Sequence, residues 1–395
     1  MASSTESLPK RNLAIDAYRG FVMLLMMGEV LHFSKLALVH PTSWLLKILA
    51  YNQTHVEWAG MSLHDTIQPG FTFLVGVALP YSLRSRMKRQ QPFQAMLLHT
   101  VWRSVVLVFL GIFLRSTHSA VTNFTFEDTL TQIGLGYTFA FLLAFVRPRW
   151  QWTSLGLILF GYWLAWAVYP APGANFSYPS VGVPADWSHL YHGFASHWNK
   201  NSNFGQAFDL WFLNLFPRPE AFRFNGGGYL TLSFIPTLGT MIIGLITGQW
   251  LIQSEPEIPF RRMLTTAAGL MVVGVVLHVT GICPIVKRIW TPSWTLFSGG
   301  VCILFLALFC WGVYTRKHSR AAFPFVVVGM NAISAYLMVH LMEEFIQRSF
   351  RTHISARGLN AFGAYAEPTV VGVLTLTTYW LMLFWMYRRK IFLRI

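Results

Sequence analysis

YLTLSFIPTLGTMIIGLITGQWLI, residues 229–252, decides the class of this protein. None of its residues is Asp, Glu, Lys or Arg, and a helix needs about 20 mostly apolar residues to cross a bilayer. Outward from it the pattern repeats, over 13–33, 64–83, 100–119, 129–146, 151–169, 263–282, 293–314, 323–342 and 368–387. About ten transmembrane helices are therefore predicted. The ~10-residue alternating segments of an outer-membrane barrel are not seen in the sequence. Composition agrees with this reading: 54% of the 395 residues are hydrophobic and only 11% are charged, against about 25% in soluble domains. A soluble cytosolic enzyme and a disordered chain are excluded. The fold class expected is an all-α integral membrane protein, with a single transmembrane domain over 1–395 and a long outer loop over about 170–228.

The formal net charge of +15 suggests nucleic acid at first sight. Charge this scarce, with 16% aromatics, fits a membrane protein better, whose cytoplasmic loops collect Lys and Arg. No nucleic-acid partner is expected. With the N-terminus inside, the inner loops hold Lys10, Arg11, the Arg84–Arg89 cluster, Arg147, Arg149, Arg261, Arg262, Arg316, Lys317, Arg320, Arg388–Lys390 and Arg394. This places both termini in the cytoplasm, as an even span count requires. The polar start, Met1 to Asn12, carries no pattern of a removable signal peptide. Cys283, Cys302 and Cys310 support no disulfide framework and are read as packing residues.

The outer loop carries Trp187, Tyr191, Trp198 and Trp211 with His189, His192 and His197. Such aromatics suit stacking on sugar rings or lying at the membrane interface. The histidine spacing matches no zinc pattern, so no metal is expected. Ionisable groups inside spans are costly and draw attention. Asp16 and Arg19 share a helix face, as do Glu29 and His32. Arg103 enters the third span from the inside, and Asp65 starts the second as a helix cap or as a partner for a nearby base. Gly244 and Gly248 form a GxxxG pair for close helix packing, within the bundle or at a homodimer contact.

The densest signal is HVEWAGMSLHDTIQPGFTFLVG, residues 55–76. A histidine at the mouth of a bundle titrates near neutral pH and is suited to act as a base. His55 holds that place, followed by Trp58 as one wall of a dry pocket; an interfacial histidine is the simpler alternative. This segment, RNLAIDAYRGFVMLLMM (11–27), GMNAISAYLMVH (329–340) and YRRKIFLRI (387–395) resemble the heparan-α-glucosaminide N-acetyltransferase family. The spacing His-x-x-Trp-x-Gly-x-x-x-x-Asp-x-x-x-Pro is the specific part; Asp-x-x-Arg-Gly is shared with other multi-span acyltransferases.

The resemblance implies an acyltransferase that takes acetyl from cytoplasmic acetyl-CoA and delivers it to a terminal glucosamine amine across the membrane. His55 matches the family's proposed catalytic residue, as base or acetyl carrier. The candidate site then comprises His55, Asp65 and Asn331 as catalytic groups. Asn331 serves either as an oxyanion donor or as a helix–helix hydrogen bond. Arg19 and Arg103 are candidates for the CoA phosphates, and Trp58, Glu29 and His32 for an amino-sugar or oligosaccharide acceptor. Two departures bear on the acceptor: the family's Asp-Pro-Glu-Gly before the sixth span is here Asn225-Gly226-Gly227-Gly228, and the lumenal N-terminal domain of the animal enzyme is absent from this sequence. The expected residence is a bacterial inner membrane, with membrane lipid as a further partner. The alternatives are a polytopic transporter or flippase, and an O-acyltransferase using His32.

Overall fold

The computed structural model describes residues 12–316 and 319–393; Lys10, Arg11, Lys317 and Arg394, expected on the inner face, lie outside them. The chain enters through α1 (Leu13–Met27), whose first amides are capped by Asn12. Two short helices, α2 (Phe33–Val39) and α3 (Trp44–Asn52), lead to α4 (Ile67–Lys88), α5 (Phe93–Ser116), α6 (Thr129–Leu143) and α7 (Pro148–Val168). After the outer loop, which contains α8 (Phe204–Phe212), come α9 (Phe234–Gln253), α10 (Phe260–Val279) and α11 (Pro292–Cys310). The chain closes with α12 (Ser319–Gly329), α13 (Ala332–His353), the single turn α14 (Ala356–Leu359) and α15 (Glu367–Arg388). Among the described residues the only strand-like pairing is the bridge between Ala59 and Val286.

Each of the ten apolar stretches falls on a helix, but helices and spans are not the same count. Among the described residues, five helices are long and apolar enough to cross a membrane, and up to seven if two bent pairs each form one span. The bent pairs are α1 with α2, at 45°, and α12 with α13, at 64°. The ninth stretch is thus a broken helix rather than a straight one. Of the others, α6 is only 15 residues long, and α4 ends in Arg84, Arg86 and Lys88. The molecule is an all-α membrane protein.

Equally apolar helices occupy opposite positions. α9 is buried along almost its whole length, whereas α10 turns Val272, Val276 and Val279 outward. Small residues explain the first case. A side chain on Gly244 or Gly248 would run into the backbone of Phe73 or Val77 in α4, and one on Gly76 into that of Met241. The two backbones approach closely because no Cβ intervenes. The GxxxG pair is therefore consumed inside the bundle, and the homodimer contact entertained for it is corrected. The outer loop is also packed, around Trp58, Tyr162, Trp166, Trp187 and Trp198. Trp187 and Trp198 are buried in this core, so they are not the sugar platform or membrane anchor expected of them; Trp211 is exposed.

Candidate active site

Residues 53–66 fold around one carboxylate. Gln53 ties the segment to the end of α1, donating to Gly28 O and accepting from Phe33 N at 2.7 Å. Ser62 Oγ closes the loop by donating to Thr54 O at 2.6 Å. Inside it, Asp65 Oδ2 accepts from Val56 N at 3.2 Å and from Ser62 N at 3.0 Å. Its other oxygen, Oδ1, lies 2.8 Å from His55 Nδ1. Ten residues of spacing in sequence thus become a direct contact. Asp65 does not cap α4, whose N-cap Thr66 makes no side-chain cap bond.

A second segment, far off in sequence, is docked on this loop. Gly60 takes φ of +110°, open to glycine because it has no Cβ, and its amide donates to Ile285 O at 3.1 Å. The pairing of Ala59 with Val286 follows, and it delivers Lys287. Lys287 Nζ lies 3.2 Å from Asp65 Oδ1 and 3.0 Å from His55 Nδ1. Next to it, Arg288 donates to Gly227 O at 2.8 Å and to Val56 O at 3.4 Å. That links the site to the glycine run before the sixth span. Gly228, at φ +77°, lies where a Cβ would meet the Trp58 ring.

Burial and charge set the protonation states. The Asp65 side chain is 1% exposed and that of Lys287 4%, while that of His55 keeps 36%. The His55 ring, the Lys287 ammonium and the Ser62 amide all face the Asp65 carboxylate. Burial lowers Lys287 to about 8 against the pull of Asp65. Burial likewise puts His55 below its ordinary 6.5; the bond to Asp65 opposes this and the Lys287 charge assists it. His55 is neutral at pH 7. The 2.8 Å contact requires a proton between Nδ1 and the carboxylate, so Nδ1–H donates to Asp65 and the lone pair sits on Nε2. A neutral imidazole held this way can accept a proton or attack an acyl carbon.

The other expected site residues divide by position. Glu29, two-thirds exposed, stands at the edge of the site, 3.9 Å from His64 Nε2. The His64 ring in turn lies 4.5 Å from that of His55. Trp58 is fully buried against Trp187, so it supports the site from below and offers no ring face to a ligand. His32 occupies the left-handed break after α1, and no hydrogen bond joins it to His55 among the described residues. Asn331 is corrected as an oxyanion donor beside His55. Its amide donates to Ile391 O at 3.0 Å and accepts from Leu393 N at 3.3 Å. It follows Gly329, which packs on Asp16 at the opposite end of α1. Arg19 pairs with Asp16 at 3.2 Å, and Arg103 donates to Tyr137 OH at 3.0 Å while lying over that ring; neither reaches His55. Sequence reasoning missed Lys287, Arg288, His64 and Ser62. The available signal for the first two was a Lys-Arg pair in a short outer loop, where the positive-inside rule disfavours one. Among the described residues no three His, Cys, Asp or Glu side chains are grouped to hold a metal ion.

No protein-family model matches the chain. The human heparan-alpha-glucosaminide N-acetyltransferase is 21% identical to it over 430 aligned positions, which cover 98% of this chain and 60% of that protein. The mouse enzyme of the same name is 21% identical, with 61% of its length covered. The chain thus spans about three fifths of the length of the curated relatives it matches. Similarity over nearly all of its residues makes this membrane protein a distant relative of the heparan-α-glucosaminide N-acetyltransferases.

Proposed function

We propose that the protein is a transmembrane acetyltransferase, moving acetyl from cytoplasmic acetyl-CoA to the amine of an amino sugar or glycan on the other side. The observation that carries this is a part-exposed His55 whose Nδ1 lies 2.8 Å from the buried carboxylate of Asp65. In this reading all ten stretches cross the membrane, both termini are cytoplasmic, and His55 faces outward. An amine acceptor arrives mostly protonated. His55 Nε2 takes its proton, the free amine attacks the thioester carbonyl, the C–S bond breaks, and the proton shed by the new amide nitrogen passes to the departing thiolate, giving CoA. The alternative order places acetyl on Nε2 first, releasing CoA, before the amine attacks the acetyl-imidazole. Base catalysis of this kind is worth about 10²–10⁴-fold. The exposed carboxylate of Glu29 at the edge of the site suits collection of a cationic amine.

The test is direct. The protein, purified in detergent, is supplied with radiolabelled acetyl-CoA and glucosamine, and the wild type is compared with His55→Ala and His32→Ala. N-acetylated product lost in His55→Ala is the expected result. No transfer to any amino sugar or glycan would sink the activity. Loss only in His32→Ala, or label on hydroxyls alone, would move the assignment to O-acyl transfer.

A further inference from the structure

His55 Nδ1, Asp65 Oδ1 and Lys287 Nζ form a triangle with sides of 2.8, 3.0 and 3.2 Å. An Asp–His pair alone carries one negative charge when the ring is neutral, and that charge draws a proton onto the imidazole. A ring protonated at neutral pH is a poor base. The ammonium cancels the carboxylate at the same oxygen that orients the ring. We propose that Lys287 is a positioning residue for His55: it neutralises Asp65, so that the carboxylate fixes the Nδ1–H form without drawing a second proton onto Nε2. This deepens the acetyltransferase reading and rests on it for its catalytic consequence, though not for its electrostatics.

The shorter of the two contacts at Nδ1 is the one to the carboxylate, and the ring proton is assigned to it. The Nδ1–Oδ1 contact of 2.8 Å is occupied by the Nδ1 hydrogen. Lys287 therefore donates to Oδ1 and stands 3.0 Å from Nδ1 as an unshared positive charge, which repels an imidazolium. The surrounding segments carry further charged and titratable groups. His64 stands beside His55, with Glu29 behind it. Arg288 comes from the segment that carries Lys287, and its guanidinium lies over the Tyr229 ring. From the outer loop, Lys200 lies over Trp187, and His189 pairs with Glu57 at 3.0 Å. Among the described cations, only Lys287 touches both members of the pair.

Diethyl pyrocarbonate tests this without reference to activity, because it transfers its ethoxycarbonyl group only to an unprotonated imidazole nitrogen. The full chain in detergent is labelled across a pH series, and the extent at His55 is read by peptide mass spectrometry. The wild-type midpoint is expected below 6.5. Lys287→Met raises it by about one pH unit, so that labelling at a pH below both midpoints slows about tenfold. Lys287→Arg, which keeps the charge, restores the wild-type midpoint. An unchanged midpoint in Lys287→Met, or an equal rise in Lys287→Arg, overturns the proposal. His64, 5% exposed, is the folding control, since it labels only when the site has opened. If Lys287→Met fails that control, Lys287→Gln decides: its His55 midpoint must rise, and a fall or no change overturns the proposal. Absence of acetyl transfer by the wild type would remove the proposed activity and leave these midpoints readable.

Discussion

Among the described residues, two acid–base pairs stand near the two ends of α1. At its N-terminal end Asp16 and Arg19 sit three residues apart on one helix, 3.2 Å from each other, and the Arg19 side chain keeps 24% of its exposure. Near its C-terminal end Asp65 and Lys287 come from segments 222 positions apart, at a similar 3.2 Å, with both side chains all but closed to solvent. The geometry of the first pair is set by the helix itself. The second pair exists because a loop wraps one carboxylate and a glycine lets a second segment dock on it. Beside the second pair stands an imidazole. Charges assembled over long range and kept dry are arranged to control a third group; charges paired locally hold a helix end.

This contrast can be broken or sharpened by substitution. His55→Ala should have the largest effect, lowering acetyl transfer by about 10²–10⁴-fold in the detergent assay. The pH profile belongs to the same group: transfer is lost as pH falls and His55 gains its second proton, and that acid limb should lie below 6.5 because burial lowers the imidazole. An acid limb well above 6.5 would contradict the charge balance described for the site. Asp65→Asn leaves a buried ammonium without its counter-ion and should cost about 3 kcal/mol at pH 7, read by thermal unfolding in detergent. The loss should shrink toward pH 9, as Lys287, already lowered to about 8, gives up its proton. Gly60→Ala should cost about 1–3 kcal/mol through backbone strain alone, because no atom lies within 4 Å of the added methyl. It should also weaken transfer by loosening the segment that carries Lys287. Asp16→Asn, which removes a carboxylate paired along its own helix, should cost less than Asp65→Asn in the same unfolding measurement. If Asp16→Asn destabilises as much as Asp65→Asn, the distinction between the two ends fails.

How much of this could be read in advance follows the same division. The apolar stretches have a length that only a bilayer or a deep core explains, and each is a helix. Their breaks were not legible, because the bend between α12 and α13 falls at Met330–Asn331, where no proline or charge announces it. His55 and Asp65 lie in one short motif, and only their direct contact was left open. Lys287 could not be found by spacing, since it is Gly60 that docks its segment. Asn331 sits in a family-like motif, yet its partners are the backbone at 391 and 393, a meeting that no local pattern encodes. The loop tryptophans misled for a related reason: aromatic content suits a sugar, an interface and a core alike, and only packing shows that Trp187 and Trp198 serve the core.

The central claim is that His55, held by Asp65, completes acetyl transfer on the side of the membrane opposite to acetyl-CoA. Sealed proteoliposomes test it, with radiolabelled acetyl-CoA confined inside, glucosamine supplied only outside, and the orientation of the inserted protein fixed by protease accessibility of its termini. N-acetylglucosamine is expected in the outer medium, formed only by molecules whose termini face inward and abolished by His55→Ala. Product that appears only when both substrates share one compartment, or that persists in His55→Ala, would contradict it.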